Sequence, residues 1–301
     1  MRALRTSVAA AILLLRLAAA EASLVDVCQG PDPLDAASQD RMLRFSAVVK
    51  AELERSNHRL ALIARSGLDL RRFGVRYTHA GVSLRNSGRT PWSVRQLYYT
   101  CDEDRPRIFD QGISGFLSGL DDPTGGFISL VLLPAAAEAD LERSALDDRL
   151  ALQLLGSRYS PNAYPYGQHY QNCNQWIAEL LASAWSTPDT ARPMPRRAAQ
   201  DWLHAHGYRP ARFDFTFPPP RWLSTVVPLA QLDDHPAEDL DRMQLQVSLP
   251  SSIDAFVRHR HPQAKRIELC RSGERIVVRH GWTPLPDDCR PGAGDQVVML
   301  D

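Results

Sequence analysis

The chain has 301 residues, with 35 Lys+Arg against 35 Asp+Glu, no formal net charge and 44% hydrophobic residues. That balance leaves no electrostatic footprint for nucleic acid, a polyanion or an anionic membrane surface. The length suits one large domain with its own core, or a domain with an appendage.

Arg2 and Arg5 give a basic start, Val8 to Ala20 is apolar apart from Arg16, and Ala20-Glu21-Ala22 is a small-x-small site before Ser23. This pattern predicts a secretory signal peptide over residues 1–22. The apolar run falls short of the about 20 residues a span needs. Val25-Asp26-Val27-Cys28 is not a lipoprotein box, because Asp26 stands where a small residue is wanted. A periplasmic or secreted, non-lipidated protein is expected, with no transmembrane span in the mature chain.

Asp40 to Arg65 carries Leu43, Phe45, Val48, Val49, Leu53, Leu60, Leu62 and Ile63 at helical spacing, which predicts one long helix or two. Phe73 to Leu84 reads as a strand, Asn86-Ser87-Gly88 as a turn, and Trp92 to Tyr99 as a second, antiparallel strand. Asp110 to Leu117 reads as a loop and short helix. The continuous apolar run Phe127 to Leu133 predicts a buried strand, and Ala135 to Leu155 a helix. Gly156 to Gln171, rich in Tyr, Pro, Asn and Gly, is a loop. Cys173 to Trp185 is a buried helix with Trp176, Ile177, Leu180, Leu181 and Ala184 on its apolar face. Arg197 to His206 is another helix. Gln244–Leu249, Arg266–Cys270, Arg275–Arg279 and Gln296–Leu300 form a β-rich tail, and Pro218 to Arg221 is the best boundary before it.

Five cysteines in an exported chain leave one over after pairing. Cys270 and Cys289 can meet across a hairpin, and Cys28 and Cys101 can pin the N-terminus to the body. Cys173 is then the free thiol. It opens an apolar helix after a loop, amid Gln171, Asn172, Asn174 and Gln175. Helix-start N–H groups and the helix dipole favour thiolate over thiol and can hold an oxyanion. Within Tyr77-Thr-His79-Ala-Gly81, His79 lies in a strand, a rigid mount for a base, and its small neighbours leave room beside the imidazole.

The stretches YTHAGVSLR, Trp92–Cys101, FDQGISGFL, YQNCNQWIAELLA, SIDAFVRHRHP and RHGWTPLPDDC resemble the DUF2145 family of exported bacterial proteins. The order histidine strand, second strand, cysteine helix also resembles the circularly permuted NlpC/P60 enzymes, which are papain-like cysteine hydrolases. The resemblance implies an α+β fold. An antiparallel sheet packs on the cysteine helix across residues 23–220, and a β-rich region at 221–301 packs on that core. It implies Cys173 as nucleophile, His79 as base and Gln96 as the neutral residue orienting the imidazole, with Asp110 a lesser substitute. It implies that Tyr159, Gln168, His169, Asn172 and Asn174 line the oxyanion or substrate site, His169 being also the rival base.

Arg258-His-Arg-His261 has no acidic or cysteine ligand at useful spacing, and no phosphate-cradling or dinucleotide motif is present. No metal or cofactor is expected. The expected activity is a thiol hydrolase or acyltransferase on an amide or ester, with a peptide, cell-wall or lipid-type substrate. The rival expectation is a catalytically inactive envelope binding protein using the same cleft.

Overall fold

The computed structural model describes residues 34–120, 122, 124–186, 194–215 and 229–300. The expected signal peptide, Cys28 and the boundary at Pro218 to Arg221 lie outside the described residues. The chain is α+β. Helix α1 (Ala36–Arg55) precedes β1 (Leu60–Arg65), β2 (His79–Leu84), β3 (Ser93–Thr100) and β4 (Arg105–Gln111). Helix α2 (Ile113–Leu117), β5 (Gly125–Leu132), α3 (Ala135–Leu146), α4 (Asp148–Gln153), α5 (Cys173–Trp185) and α6 (Arg196–Ala205) follow. The chain then runs through β6 (Ala211–Asp214), α7 (Ala237–Asp241), β7 (Gln244–Val247), α8 (Pro250–Arg260), β8 (Lys265–Ser272), β9 (Arg275–His280) and β10 (Gln296–Met299).

Eight strands make one sheet in the order β10-β9-β8-β5-β1-β2-β3-β4, every pairing antiparallel. Strands β8 to β10 thus extend the same sheet through β5, while β6 and β7 form a separate two-stranded ribbon. Helices cover both faces. Leu60, Leu62, Ala64, Ala80, Val82 and Leu84 pack with α3, α5, α6 and α8 on one face. Ala61, Ile63, Ile128, Leu130, Ile267 and Leu269 pack with α1 and α2 on the other.

This burial on two faces explains one departure from the sequence reading. The run Leu60–Arg65 is a strand, not helix, and every residue in it is buried. Central strands covered on both sides lose the alternating pattern and read as continuous apolar runs. The helix before it ends at Arg55, and Asn57 then takes a left-handed backbone with φ 57°, a conformation asparagine tolerates better than most residues. The expected helix Ala135 to Leu155 breaks at Asp147, whose extended backbone (ψ 99°) and side chain cap α4 through Arg149 N and Leu150 N. Arg258, His259 and Arg260 form the basic last turn of helix α8. Cys270 and Cys289 form a disulfide. Among the described residues no helix is long and apolar enough to cross a membrane.

Candidate functional site

Helix α5 starts at Cys173 because Asn172 caps it, the Asn172 side chain accepting from Gln175 N at 2.7 Å. The helix packs against β2 and β3. Those strands pair at Val82–Arg95, Ser83–Val94 and Leu84–Ser93. The ladder stops there, although β2 reaches back to His79 and β3 runs on to Thr100. The thiol and the two side chains expected to serve it gather at this opening.

Cys173 Sγ lies 3.1 Å from His79 Nδ1, and His79 Nε2 lies 2.5 Å from Gln96 Oε1. An amide oxygen only accepts, so Nε2 carries the proton and donates it there. Nδ1 is left as the acceptor facing the thiol. Gln96 is itself held, its Nε2 donating to Gln111 Oε1 at 2.6 Å across the β3–β4 pair. All three members of the chain from thiol to Gln96 are buried: Cys173 is 6%, His79 9% and Gln96 1% exposed.

Burial sets the electrostatics. It pushes the Cys173 thiol up to about 11, against the opposing pull of the Arg65 charge and the backbone N–H groups of Ala80, Asn174 and Cys173 itself. It pushes the His79 imidazole down to about 3, assisted by Arg65 and opposed by the bond to Gln96. The resting pair is therefore neutral thiol and neutral imidazole. The expectation of a thiol lowered by the helix start does not hold, because desolvation outweighs the N–H groups and the cation.

The room expected beside the imidazole is filled. Val94 and Gln96 occupy the side where Gly81 lacks a Cβ. The His79 ring also neighbours Tyr98 and Phe116, each with its centroid 5.8 Å away.

The remaining expected residues divide. Asn174 follows the nucleophile position and donates to Thr78 O and Ser248 O. Asn172 donates to Pro161 O and Ser248 O. Both amides hold the backbone around the thiol. Tyr159 stacks on Tyr99 at 5.3 Å. Its phenol is raised well above its ordinary value by burial first and by the neighbouring Cys173 second. Gln168 is exposed and donates to Gln200. His169 is exposed, its Nδ1 3.9 Å from Asp233. The structure brings neither to the thiol. Asp110 forms a bidentate pair with Arg95 at 2.8 and 2.7 Å.

The sequence reading did not single out Arg65, Gln111, Tyr98 or Phe116. Arg65 pairs with His79 in the β1–β2 register and is buried. It donates to Ser66 O and to Gly119 O. A Cβ on Gly119 would crowd the Arg65 guanidinium, so a larger residue there would push that group aside. An arginine closing the apolar run LALIAR was the available signal, hidden by its assignment to helix. Gln111 ends β4 (Arg105–Gln111), a strand whose last residues the sequence reads as loop, which hid its place on the face of Gln96.

No curated protein and no solved structure matches the chain. A family model described as an uncharacterised protein conserved in bacteria, DUF2145, matches residues 52–257. That span takes in β1 to α5, and with them Arg65, His79, Gln96, Gln111, Tyr159 and Cys173. The chain therefore belongs to the DUF2145 family of bacterial proteins.

Proposed function

We propose that the chain is an exported thiol hydrolase or acyltransferase of the permuted papain type, acting on an amide or ester. The observation that carries this reading is the line Cys173 Sγ, His79 Nδ1, His79 Nε2, Gln96 Oε1, with both links within hydrogen-bonding distance. A nucleophile, a base and a third group orienting the base define such sites by geometry, not by chain order.

The chemistry follows from the protonation state. The thiol gives its proton to His79 Nδ1 as sulfur attacks the substrate carbonyl carbon. The carbonyl π electrons move to oxygen, and in this reading N–H groups at the start of α5 receive that oxyanion. Nδ1–H then protonates the leaving amine or alcohol as the C–X bond breaks, leaving a thioester on Cys173. Water or an acceptor amine or alcohol, deprotonated by His79, releases the acyl group. Gln96 keeps the imidazole in the required tautomer. As a neutral amide it stabilises imidazolium less than a carboxylate would. Export makes peptidoglycan peptides or lipid-linked acyl groups suitable substrates.

The test is intact-mass detection of a thioester on Cys173. The mature protein is incubated with stem peptides and with simple acyl thioesters or esters. An acyl mass gain that vanishes in Cys173→Ser and falls in His79→Ala supports the proposal. No adduct with any donor supports the second reading, an inactive envelope binding protein using the same cleft. That reading draws on the burial and neutrality of both groups at rest.

A further inference from the structure

A second site lies away from the thiol. A cleft of about 510 Å³ opens between α8, β8 and the segment from Trp282 to Asp287, within the roughly 300–1,000 Å³ range of small-molecule sites. Two segments that the dyad does not use, SIDAFVRHRHP and RHGWTPLPDDC, supply much of its wall. Its charges are mostly settled among themselves. Fully buried Glu268 accepts from Tyr77 Oη, pairs with Arg76 at 3.0 Å and Arg266 at 2.9 Å, and takes Leu285 N at 2.6 Å. Asp287 answers the other end of Arg76. Two acids and two arginines thus cancel.

Two further groups are not settled. Asp254 and Arg258 are four residues apart on α8, in the order that ordinarily gives an i, i+4 ion pair. Here they do not pair. The Arg258 guanidinium lies over the Trp282 ring, 5.4 Å from its centroid. Among the described residues neither Asp254 nor Arg258 has a hydrogen-bond or ion-pair partner. Trp282 is anchored through Nε1 to Ala264 O at 3.1 Å, so the platform under Arg258 is fixed. The cleft thus presents one acid and one guanidinium side by side, both uncommitted, above a neutral floor.

We propose that this cleft binds a small zwitterionic ligand of the amino-acid or short-peptide type, its carboxylate on Arg258 and its ammonium on Asp254. A single small ligand bearing both charges completes both groups at once. A lone anion or a lone cation answers only one of the two, half-buried Asp254 or exposed Arg258, and leaves the other without a protein or ligand partner. The burial that holds Asp254 up to about 7 acts in the same direction, since an adjacent ammonium offsets the cost of ionising it. The site stands independently of the role of Cys173.

The test is calorimetric titration of the full mature chain at mildly alkaline pH. The probes are glycine, L-alanine, D-alanine and alanyl-alanine, with ethylamine, propionate and glucose as controls. Expected is binding by at least one zwitterion and by none of the controls. Asp254→Asn and Arg258→Gln, both on the accessible side of α8, each weaken it by roughly tenfold or more. Circular dichroism and thermal melts check that both variants stay folded. No zwitterion binding, binding indifferent to both variants, or binding of propionate or glucose alone overturns the proposal.

Discussion

Gly81 and Gln96 face each other where β2 and β3 part. A Cβ on Gly81 would stand 3.4 Å from the Gln96 Cβ, 3.0 Å from the Arg95 carbonyl and hard against a Val94 methyl. The backbone of β2 therefore stays close to β3 one residue past the last ladder pair, Val82–Arg95. That approach lets a glutamine from β3 reach back to the imidazole two positions along β2. Gly81→Ala is expected to cost about 1–3 kcal/mol through overpacking and to pull Gln96 from His79. Urea unfolding reads the first effect. Loss of the slowly exchanging His79 ring N–H signal in NMR reads the second. An unchanged imidazole signal would mean that β3 yields without moving Gln96.

The buried dyad links stability to pH at both ends. His79 is held down to about 3 from an ordinary 6.5. Below the ordinary value the unfolded chain takes up a proton that the folded site refuses, so stability falls as pH drops from 6.5 toward 3. Cys173 is held up to about 11 from 9.0. Above the ordinary value the unfolded chain releases its proton first, so stability also falls as pH rises from 9.0 toward 11. His79→Gln should flatten the acid limb by about 1–3 kcal/mol, and Cys173→Ala the alkaline limb by about 1–2 kcal/mol. Denaturant unfolding across pH checks both, and an acid limb identical in His79→Gln would place the proton uptake elsewhere.

Arg65 acts on the thiol and the imidazole with one charge, lowering both. Removing it should move the two groups together. In Arg65→Met the pH midpoint of Cys173 alkylation is expected to rise further, and in Arg65→Lys to return most of the way. Mass-spectrometric labelling with iodoacetamide across the alkaline range measures it. A midpoint that stays put in Arg65→Met would show the cation to be screened from the sulfur.

Gln111 reaches the dyad only through Gln96, so it is a positioning residue. Gln111→Ala frees the Gln96 amide to rotate and present its NH2 to His79, which would favour the wrong tautomer. If a substrate is found, Gln96→Ala should lower kcat by roughly 10²-fold and Gln111→Ala by roughly tenfold. KM should hold, since neither residue adds to ground-state binding. Gln111→Glu, which restores an acceptor for Gln96, should recover most of the rate. Equal losses in kcat and gains in KM for Gln111→Ala would indicate a collapsed site instead of a turned amide.

Much of this site was legible as residue types in place: a cysteine opening an apolar helix, a histidine within a strand, a glutamine on the next strand, although the strand expected from Phe73 begins only at His79. Helix α5 runs over the very residues its apolar face predicts, Cys173 to Trp185. The parts that escaped depend on contacts between elements far apart in the chain. Leu60–Arg65 reads as helix because two-sided burial erases the strand period, and Arg65 was lost with it. The rise of the Cys173 thiol was hidden because a helix start is visible in sequence and the depth at which it is buried is not. Gln168 and His169 lie near Cys173 in the chain, but the loop turns them outward, where Gln168 meets Gln200 and His169 approaches Asp233.

The same loop is tied down by one buried acid. Glu179, on the second turn of α5 and 0% exposed, accepts from Gln171 at 2.6 Å, Gln200 at 2.7 Å and Arg196 at 3.0 Å. Arg196 in turn donates to the carbonyls of Gln168 and Tyr170 at 3.2 Å each. Gln171 also bridges beside Tyr159, so the network sets where that ring lies near the thiol. Burial pushes the Glu179 carboxyl up and Arg196 pulls it back. Breaking such a pair on one side strands a buried charge, so Arg196→Met should cost about 3–5 kcal/mol. Replacing both partners with apolar groups removes the stranded charge. The double variant Glu179→Met/Arg196→Met should therefore recover at least half of that loss in urea unfolding. It should not restore the loop. Faster hydrogen exchange at 156–171 is expected in both variants, and exchange unchanged in the double variant would mean that packing alone holds the loop against α5.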